Sequence, residues 1–304
     1  MQAAYMARAG KRVCVLERRE LLGGFKFSRA SYLLSLLRPI VIEDLKLKEH
    51  GLRYHIRNPS SFTPIRDSKQ KLLLGLDMND NCKEIAKFSR RDAQVFPKYE
   101  DFIGLTARSL EPLMDDVPFN AHEKKWKMLM NRWRQRKVYQ SGKAKNLSPD
   151  NTRLSYPVAV MNKWFESEVL KATLATDGII GFAASPYDMG TGYVLLHHLM
   201  GGLDNRRGAW GYVIGGMGEV SKAIASSARS HGAEIFTEQE VVTILTDCGH
   251  VKGVRLTSGR EVYANTVLSN ATPTVTFENL VSKVEMSHLD SRSLPEEFAE
   301  HHKV

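Results

Sequence analysis

The sequence has 304 residues, of which 42% are hydrophobic and 25% are charged. These proportions are typical of a globular protein, and they exclude a disordered, collagen-like or disulfide-rich small protein. The length is sufficient for one large domain or two smaller ones. Cys14, Cys82 and Cys248 are too few and too scattered for a disulfide framework or a zinc cluster, so we expect a reducing compartment.

No run of about 18 apolar residues occurs in the sequence, which excludes a membrane-spanning helix. The opening residues also lack the long apolar stretch of a signal peptide, because the short run Val13-Cys14-Val15-Leu16 is flanked by charges. We therefore expect no signal peptide, and an organelle-targeting segment is not visible.

The formal net charge of +9 comes from one segment and not from the chain as a whole. Residues 124–145 contain nine basic residues and no acidic one, while the rest of the chain contains 34 residues of each sign. Such a run is most often a solvated helix and loop at an insertion. The alternative is a site for anionic lipid or nucleic acid.

The N-terminal part of the chain predicts a helix, a glycine turn and a strand. Residues 2–9 have the pattern of a helix end, with Gly10 in the C-cap position. Residues 11–18 predict a strand around a buried apolar run that ends at the acidic Glu17. Further short strands are predicted at residues 52–56 and 72–76.

The middle of the chain predicts several helices. Their expected ranges are residues 79–86, 89–116, 161–174 and 193–200. In the second of these helices, Asp92 is the expected N-cap, and Pro97 and Pro112 are expected to mark breaks.

The last part of the chain predicts a compact α/β unit. It begins with the glycine-rich residues 211–218 and a helix over residues 219–231, which Gly232 ends. The strands predicted after this helix lie at residues 233–236, 241–245, 251–256, 260–262 and 266–269. The middle three form an antiparallel meander with turns at Asp247-Cys248-Gly249 and Ser258-Gly259, and the last is expected to be buried.

Glu17 is the first candidate for a role in chemistry. In a dinucleotide-binding βαβ unit, the second strand ends in an acidic residue that accepts hydrogen bonds from the ribose hydroxyls of the adenosine. Glu17 has this position after the predicted strand. Many strands end in a glutamate because its side chain is solvated, so the position alone carries little weight.

Two other features leave alternatives open. Gly215-Gly216-Met217-Gly218 is either an anion-binding turn or a tight loop that enters a packed helix. His197 and His198 are candidate bases, although a helix histidine satisfied by its neighbours is the commoner case. The sequence shows no metal-ligand spacing and no nucleophile triad.

Several segments together carry a family pattern. They are AGKRVCVLERRELLGG (residues 9–24), FKFSRASYLLSLLRP (25–39), KWFESEVLKATLATDGIIG (163–181), SPYDMGTGYVLLHHLMGG (185–202), GAWGYVIGGMGEVSKAIASSA (208–228) and VLSNATP (267–273). With these segments the chain resembles the phytoene desaturase-like (carotenoid and retinoid) group of FAD-dependent oxidoreductases. The resemblance covers most of the chain apart from the basic segment and the tail.

The resemblance implies an FAD cofactor and the residues that surround it. The implied cofactor-binding residues are Glu17, Arg18, Gly23, Gly24, Val242 and Ala271. Glu17 would hold the adenosine ribose, and Val242 would contact the adenine through its backbone. Ala271 would lie where the chain passes back toward the pyrophosphate.

The sequence also departs from the family pattern. It contains no G-x-G-x-x-G turn, and Phe25 follows Gly24 directly where the family has a short segment along the flavin. Family members also continue beyond the position of Val304. In family members, the glycines of this turn let the backbone approach the pyrophosphate. We therefore expect a truncated form in which the retention of FAD is weakened.

The predicted fold is α/β, an incomplete and discontinuous Rossmann-like FAD-binding domain with an inserted substrate domain. The expected divisions are a partial FAD-binding segment at residues 1–54, an inserted helical substrate domain at 55–205, a returning FAD-binding segment at 206–280 and a polar tail at 281–304.

The predicted function is that of an FAD-dependent oxidoreductase with a small apolar substrate. The alternatives are a non-catalytic interaction or regulatory protein with a protein partner, and a peripheral binder of anionic membrane surfaces through residues 124–145. We expect no nucleic acid partner. The resemblance further implies a mitochondrial matrix location and a part in regulating mitochondrial function.

Overall fold

The computed structural model describes residues 1–22, 33–114, 157–181, 183–188 and 191–282. The chain divides into two compact units. The split unit contains Met1–Phe25 and Gly218–Val304, and the central unit contains Lys26–Met217. No helix in the described ranges is long and apolar enough to cross a membrane.

The described elements are helices and short strands. The α-helices are α1 (Gln2–Arg8), α2 (Pro39–Asp44), α3 (Met78–Ala86), α4 (Arg90–Met114), α5 (Pro157–Trp164), α6 (Glu168–Ala175), α7 (Thr191–Met200) and α8 (Gly218–Ser230). The strands are β1 (Cys14–Leu16), β2 (Tyr54–Ile56), β3 (Ser61–Pro64), β4 (Lys71–Leu74), β5 (Gly202–Leu203), β6 (Arg206–Arg207), β7 (Gly211–Val213), β8 (Glu234–Phe236), β9 (Val241–Asp247), β10 (His250–Leu256) and β11 (Glu261–Tyr263). A 3-10 helix covers Thr176–Gly178, and a π-helix covers Val275–Leu280.

In the split unit, β1 and β8 form a parallel pair, from Cys14 opposite Glu234 to Leu16 opposite Phe236. Helices α1 and α8 pack against each other. The predicted glycine after the first helix is confirmed, since Gly10 has a positive φ of 75°. The prediction of a buried run in β1 is wrong. Cys14 is exposed and the other two strand residues are half-buried, because only β8 lies beside β1 among the described strands.

The meander predicted for the split unit is confirmed. β9, β10 and β11 form an antiparallel sheet with β10 in the middle. The turn between β9 and β10 has positive φ at Cys248 (49°) and Gly249 (77°), as two-residue hairpin turns favour. The turn between β10 and β11 has Gly259 at a φ of 84°.

The buried strand predicted at residues 266–269 is wrong. The structure has no strand there, and Leu268 is 56% exposed. No described strand lies beside this stretch, so its backbone has no ladder to join. The chain instead continues to the π-helix, which packs on β9.

The core of the central unit lies among five of its helices and β4. In its described part, small antiparallel sheets pair β2 with β7, β3 with β4 and β5 with β6. The buried apolar residues of the core are Leu72, Leu74, Ile85, Ala93, Phe96, Tyr99, Ile103, Ala107, Met161, Phe165, Leu170, Leu195, Leu196 and Met200. The Tyr99 ring lies 4.9 Å from that of Phe165 and 5.9 Å from that of Trp164.

The N-cap and the breaks predicted for the longest described helix are wrong, although its start near Ser89 is confirmed. α4 runs without interruption through Pro97 and Pro112. Ser89 caps its first turn, because its Oγ accepts a hydrogen bond from the N–H of Asp92 at 3.0 Å. Asp92 is therefore inside the helix, and its side chain serves another purpose described below.

The single helix predicted over residues 161–174 is in fact two helices, α5 and α6. Ser167 interrupts the run because it caps a new helix, with its Oγ accepting a hydrogen bond from the N–H of Leu170 at 3.5 Å. The helices predicted at residues 79–86 and 193–200 are confirmed as α3 and α7.

The compact units divide at different places from the predicted domains. The predicted divisions are at 54/55 and 205/206, whereas the units divide at 25/26 and 217/218. The reason is long-range pairing, since β2 and β7 are hydrogen-bonded and Leu34 forms a bridge with Gly211. Residues 26–54 and 206–217, which flank the predicted insertion, thus pack with the inserted residues. The assignment of these flanks to cofactor binding stays a prediction.

Candidate functional site

Two strand ends meet at one edge of the split unit. Since β1 and β8 are parallel, their carboxyl ends lie at the same edge of the sheet. The N–H of Glu17 donates to the carbonyl oxygen of Phe236 at 2.9 Å, and the N–H of Gln239 donates to the carbonyl oxygen of Glu17 at 2.9 Å. The chain then enters β9, which contains Val242. We use the name carboxyl edge for Glu17 and Phe236 together with Val242 of the strand that follows. Open α/β sheets bind ligands at the carboxyl ends of their strands.

Glu17 presents a carboxylate at the carboxyl edge. The residue is half-buried, and its Oε1 accepts a hydrogen bond from the backbone N–H of Arg19 at 2.9 Å. An ionised carboxylate has about four acceptor positions, so Glu17 can accept further hydrogen bonds from two hydroxyl groups. Arg18 beside it is exposed. Gly23 and Gly24 lie outside the described residues.

Val242 is the extra residue of a β-bulge near the start of β9. Val241 pairs with Leu256 and Thr243 pairs with Arg255, so Val242 has no partner of its own on β10. The extra residue of a bulge is left out of the strand ladder, and bulges recur next to active sites. The side chain is 40% exposed. The predicted backbone contact of Val242 with a ligand stays a prediction, and the bulge favours it.

Phe236 was missed by the sequence reasoning. It ends β8 at the carboxyl edge, is bonded to Glu17 through its carbonyl oxygen, and is 45% exposed. An exposed aromatic residue and a carboxylate at neighbouring strand ends suit a ligand that has a flat apolar part and hydroxyl groups. The only signal in the sequence is an aromatic residue at the last position of a predicted strand.

Ala271 lies on the segment between β11 and the π-helix. It is exposed, and its carbonyl oxygen accepts a hydrogen bond from Thr276 Oγ1 at 3.5 Å. The π-helix that follows packs on β9, so this segment is held close to the sheet that carries Val242. The described contacts do not include one between Ala271 and Glu17, and the role of Ala271 stays a prediction.

The glycine turn before α8 is built as a tight loop. Gly215 and Gly216 have positive φ values of 87° and 90°. The N–H of Gly216 donates to the carbonyl oxygen of Val213 at 3.0 Å, so this donor is already used inside the turn. The structure therefore favours the tight loop over the anion-binding turn.

The two histidines of α7 have different surroundings. His198 is 5% exposed, its Nδ1 lies 2.8 Å from the carbonyl oxygen of Val194, and its ring stacks on Trp210. His198 is therefore a helix histidine satisfied by its neighbours. His197 is half-buried and stacks on Tyr193, and burial followed by the charge of His198 lowers its pKa. In the part of the chain that the structure describes, the ring contacts of these two histidines are with Tyr193, Trp210 and each other, and none of these is a group on which a base would act.

A surface cleft of about 330 Å³ lies in the central unit between α2 and the β5–β6 hairpin. Lys48 Nζ and Tyr54 OH both donate to Asp204 Oδ1, at 2.6 Å and 2.7 Å. These hydrogen bonds lower the pKa of Asp204. The three groups satisfy one another, and we assign no ligand to the cleft. Among the described residues, no group of three or more histidine, cysteine or acidic side chains is arranged to hold a metal ion.

Comparison with known proteins decides the family. The profile of the flavin containing amine oxidoreductases matches residues 1–294. The chain belongs to this family.

The curated relatives that this chain matches first are longer than the chain. Pyridine nucleotide-disulfide oxidoreductase domain-containing protein 2 of Rattus norvegicus is 47% identical over 302 residues, which cover 91% of this chain and 52% of that protein. The chain thus spans about half the length of the curated relatives it matches first. The chloroplastic prolycopene isomerase of Arabidopsis thaliana is 37% identical over 101 residues, which cover 33% of this chain and 16% of that protein. The resemblance to carotenoid desaturase-like oxidoreductases is confirmed.

Among solved structures, a variant of putrescine oxidase has a TM-score of 0.50 at 16% identity, and the match covers 94% of this chain and 59% of that one. At this identity the similarity shows the fold alone. It confirms the predicted α/β fold of the flavin-binding type.

The carboxyl edge of this family member fits the adenosine half of a flavin dinucleotide. Glu17 presents a carboxylate that is held by the N–H of Arg19, and a carboxylate is the group that accepts hydrogen bonds from ribose hydroxyls in dinucleotide-binding folds. The bulge leaves the backbone of Val242 outside the strand ladder, and Phe236 is an exposed aromatic residue. These donor, acceptor and apolar groups match those that an adenosine requires.

Proposed function

We propose that this member of the flavin-containing amine oxidoreductase family binds FAD at the carboxyl edge and serves a flavin-dependent oxidation or reduction. One observation carries the proposal. Glu17 ends a strand parallel to β8, and the chain bonded to it through Gln239 leads directly into the bulge at Val242.

The chain's own residues bind and orient the cofactor in this proposal. Glu17 accepts hydrogen bonds from the ribose hydroxyls, the backbone of Val242 contacts the edge of the adenine, and Phe236 shields one face of the adenine from water. When bound, FAD supplies the hydride or electron transfer, and the protein supplies position and electrostatics. No protein nucleophile is required.

The first test is the visible absorption spectrum of the purified chain after FAD is added and the protein is desalted. We expect flavin bands that stay with the protein after desalting. A folded, monodisperse and colourless protein would contradict the proposal for this chain.

A matched pair of variants tests the role of Glu17. Glu17→Gln keeps the size of the side chain and removes its charge. We expect the dissociation constant for FAD to rise about 10- to 100-fold, because a hydrogen bond to a charged group contributes about 1.5–3 kcal/mol. Isothermal titration calorimetry or quenching of flavin fluorescence would measure this.

Glu234→Gln is the control for Glu17→Gln. Glu234 lies at the amino end of β8, in the same strand pair but away from the carboxyl edge, and it is exposed. The same change of charge at this position is expected to leave FAD affinity unchanged. Equal losses in the two variants, or no loss in either, would contradict the assignment of Glu17.

The second candidate function is that of a non-catalytic interaction or regulatory protein. Phe236 and Leu268 are exposed apolar residues in the split unit. Exposed apolar residues of this kind can contribute to contacts with a protein partner. Absence of bound flavin in a soluble, monodisperse preparation would support this function over the first.

The substrate, the location and the cellular role belong to the proposal as well. We propose a small apolar substrate, a mitochondrial matrix location and a part in regulating mitochondrial function, all three supported by the resemblance to the family. Protease protection in fractionated mitochondria tests the location. Digestion of the protein by protease added outside intact mitochondria would contradict it.

A further inference from the structure

Strands β2 and β7 of the central unit form a two-stranded sheet, and one face of this sheet carries exposed residues. The register places His55 directly opposite Tyr212, and directly opposed residues of two strands share a face. Backbone hydrogen bonds of 2.9 Å and 2.7 Å continue this register just beyond both ends of the pair. The face therefore carries a basic row of Arg53, His55 and Arg57 along β2 and an apolar row of Ile214, Tyr212 and Trp210 along β7.

The basic row presents nitrogen groups at a regular spacing. Arg53 and His55 are exposed, and Arg57 is half-buried. Alternate residues of a strand lie about 7 Å apart on one face. Within the described part of the chain, Arg53 is in no ion pair. The row therefore attracts negative groups that are spaced like the alternate residues of another extended chain.

The apolar row is exposed beside the basic one. Tyr212 and Ile214 are 49% and 48% exposed, whereas the solvent face of an antiparallel sheet normally carries polar residues. Trp210 is half-buried, because its ring stacks on His198 of α7. The two exposed apolar side chains thus lie at the end of the face that Arg53 occupies, and neighbouring exposed apolar residues mark surfaces that meet a partner.

The opposite face of the same sheet is packed. Gly211 and Val213 are buried, and a Cβ added at Gly211 would lie 2.7 Å from Leu203 Cδ1 of β5. Tyr54 and Ile56 of β2 are half-buried on this face. A strand added beside β2 would therefore meet charge on one face and apolar side chains on the other.

The outer edge of β2 offers backbone groups for such a strand. In the described part of the chain, β7 is the only strand paired with β2. The carbonyl oxygen of Arg53 and the N–H of Arg57 are bonded to β7, so the N–H and C=O groups of Tyr54 and Ile56 point away from it. No hydrogen bond joins these four groups to another described residue. An unpaired strand edge is a template for a further strand.

We propose that an extended acidic segment of a protein partner adds to the outer edge of β2 as a third strand. Its acidic residues alternate with apolar ones, so that the acidic side chains face the basic row and the apolar ones lie beside Tyr54 and Ile56. In such an addition the backbone hydrogen bonds supply affinity and the alternate side chains supply specificity.

Charge and backbone geometry favour this occupant over the others. A second copy of the chain, paired through its own β2, would bring the two basic rows side by side, and like charges on neighbouring strands are destabilising. A nucleic acid or an anionic lipid can use the basic row but not the row of backbone groups at the edge. The surface lies in the central unit, so the proposal does not depend on flavin binding at the carboxyl edge of the split unit.

Fluorescence anisotropy with the full chain tests the proposal. The probe is a labelled peptide of four glutamate–valine repeats, and the controls are a lysine–valine peptide and a peptide with the same residues but its glutamates grouped at one end. We expect saturable binding of the first peptide and at least roughly tenfold weaker binding of both controls, because each matched cross-strand pair contributes up to about 1 kcal/mol.

Methylation of the peptide nitrogens separates strand addition from attraction by charge alone. In an antiparallel addition the N–H groups of the valines point at β2 and those of the glutamates point away from it. Methylation of the valine nitrogens is therefore expected to abolish binding, while methylation of the glutamate nitrogens leaves it. Hydrogen exchange should show new protection of the amides of Tyr54 and Ile56. Equal effects of the two methylations without such protection would overturn the proposal.

A matched pair of variants tests the basic row. Arg53→Glu is expected to weaken binding of the glutamate peptide about tenfold and to strengthen binding of the lysine peptide, because attraction and repulsion are exchanged. His55→Glu decides the question if Arg53→Glu does not fold. Arg66→Glu is the control, since the side chain of Arg66 is 96% exposed in the turn between β3 and β4. It is expected to bind both peptides like the wild type.

Three outcomes would overturn the proposal. Equal losses in Arg53→Glu and Arg66→Glu would show that only net charge matters. Displacement of the peptide by a single-stranded oligonucleotide that binds more tightly would assign the face to nucleic acid. Dimerisation in analytical ultracentrifugation that prevents peptide binding would assign the edge of β2 to a second copy.

Discussion

Asp92 joins the first turns of two helices through a fully buried carboxylate. Its side chain is 0% exposed, and it accepts hydrogen bonds from the N–H groups of Glu166 and Ser167, at 3.0 Å and 2.8 Å. These donors stand at the start of α6, where backbone N–H groups lack partners within the helix and a negative charge is favoured. Arg91 Nη1 adds a contact at 3.5 Å. The network compensates the cost of burying a charge.

We expect Asp92→Ala to lower the free energy of unfolding by about 2–4 kcal/mol, because each of the two part-buried N–H groups that loses its acceptor costs about 1–3 kcal/mol. Urea denaturation measures the change. Asp77→Ala is the control, since Asp77 is an exposed N-cap that accepts from Asp80 N–H at 2.9 Å and is expected to cost about 1 kcal/mol. A loss in Asp92→Ala no larger than that in Asp77→Ala would contradict the role of the buried network.

At the scale of single residues, sequence reasoning succeeded where the signal is local. The glycine after α1 and the turn residues around Gly249 were predicted because their backbone conformation depends on immediate neighbours. The role of Asp92 was not predictable in this way. Its partners Glu166 and Ser167 are more than seventy positions away, and no local pattern indicates that they meet.

At the scale of elements, burial outweighed local propensity in α4. A proline inside a helix costs about 3 kcal/mol, which is why Pro97 was expected to end it. Phe96, Tyr99 and Ile103 of the same helix are all buried in the core of the central unit. Burial of one large apolar side chain contributes about 1.5–3 kcal/mol, so three of them outweigh the proline.

The meander of the split unit depends on one glycine. Gly253 of β10 has a φ of 152°, and a Cβ added there would lie 2.2 Å from the carbonyl oxygen of Val262 on β11. We expect Gly253→Ala to lower the free energy of unfolding by about 1–3 kcal/mol, because backbone atoms of two paired strands must move apart. Denaturant unfolding followed by circular dichroism measures this loss.

The control for this substitution is Gly104→Ala in α4. Gly104 has a negative φ, and the nearest atom to an added Cβ is the flexible end of Arg108 at 3.6 Å. Alanine is favoured over glycine inside a helix by about 0.5–1 kcal/mol, so this variant is expected to be neutral or stabilising. If the two alanine variants had the same effect, the strand contact at Gly253 would not be the cause.

At the scale of the whole molecule, the order of elements was predictable but the grouping was not. The order follows from apolar periodicity and turn residues, both of which are read locally. The grouping of residues 26–54 with the central unit depends on the pairing of β2 with β7 and on the bridge from Leu34 to Gly211. The partners in this pairing are separated by more than 150 residues, and only the folded chain brings them together.

The distribution of charge over the molecule leads to a last prediction. Residues 124–145 carry the whole basic excess, so binding to an anionic membrane surface would act through them. We expect the variant with Lys124, Lys125, Arg132 and Arg134 all changed to glutamine to lose binding to phosphatidylserine vesicles. Each basic residue near such a surface contributes about 1 kcal/mol, which makes the loss roughly a thousandfold.

Vesicle co-sedimentation at low and physiological salt measures this binding, which is expected to weaken as the ionic strength rises. The matched control changes Lys11, Arg12, Lys69 and Lys98 to glutamine. These are exposed residues in the charge-balanced remainder, and their substitution lowers the net charge equally. Because the control keeps the basic run intact, its binding should stay close to that of the wild type. Equal losses in the two variants would show that only net charge matters, and unchanged binding of the first variant would rule out membrane binding through residues 124–145.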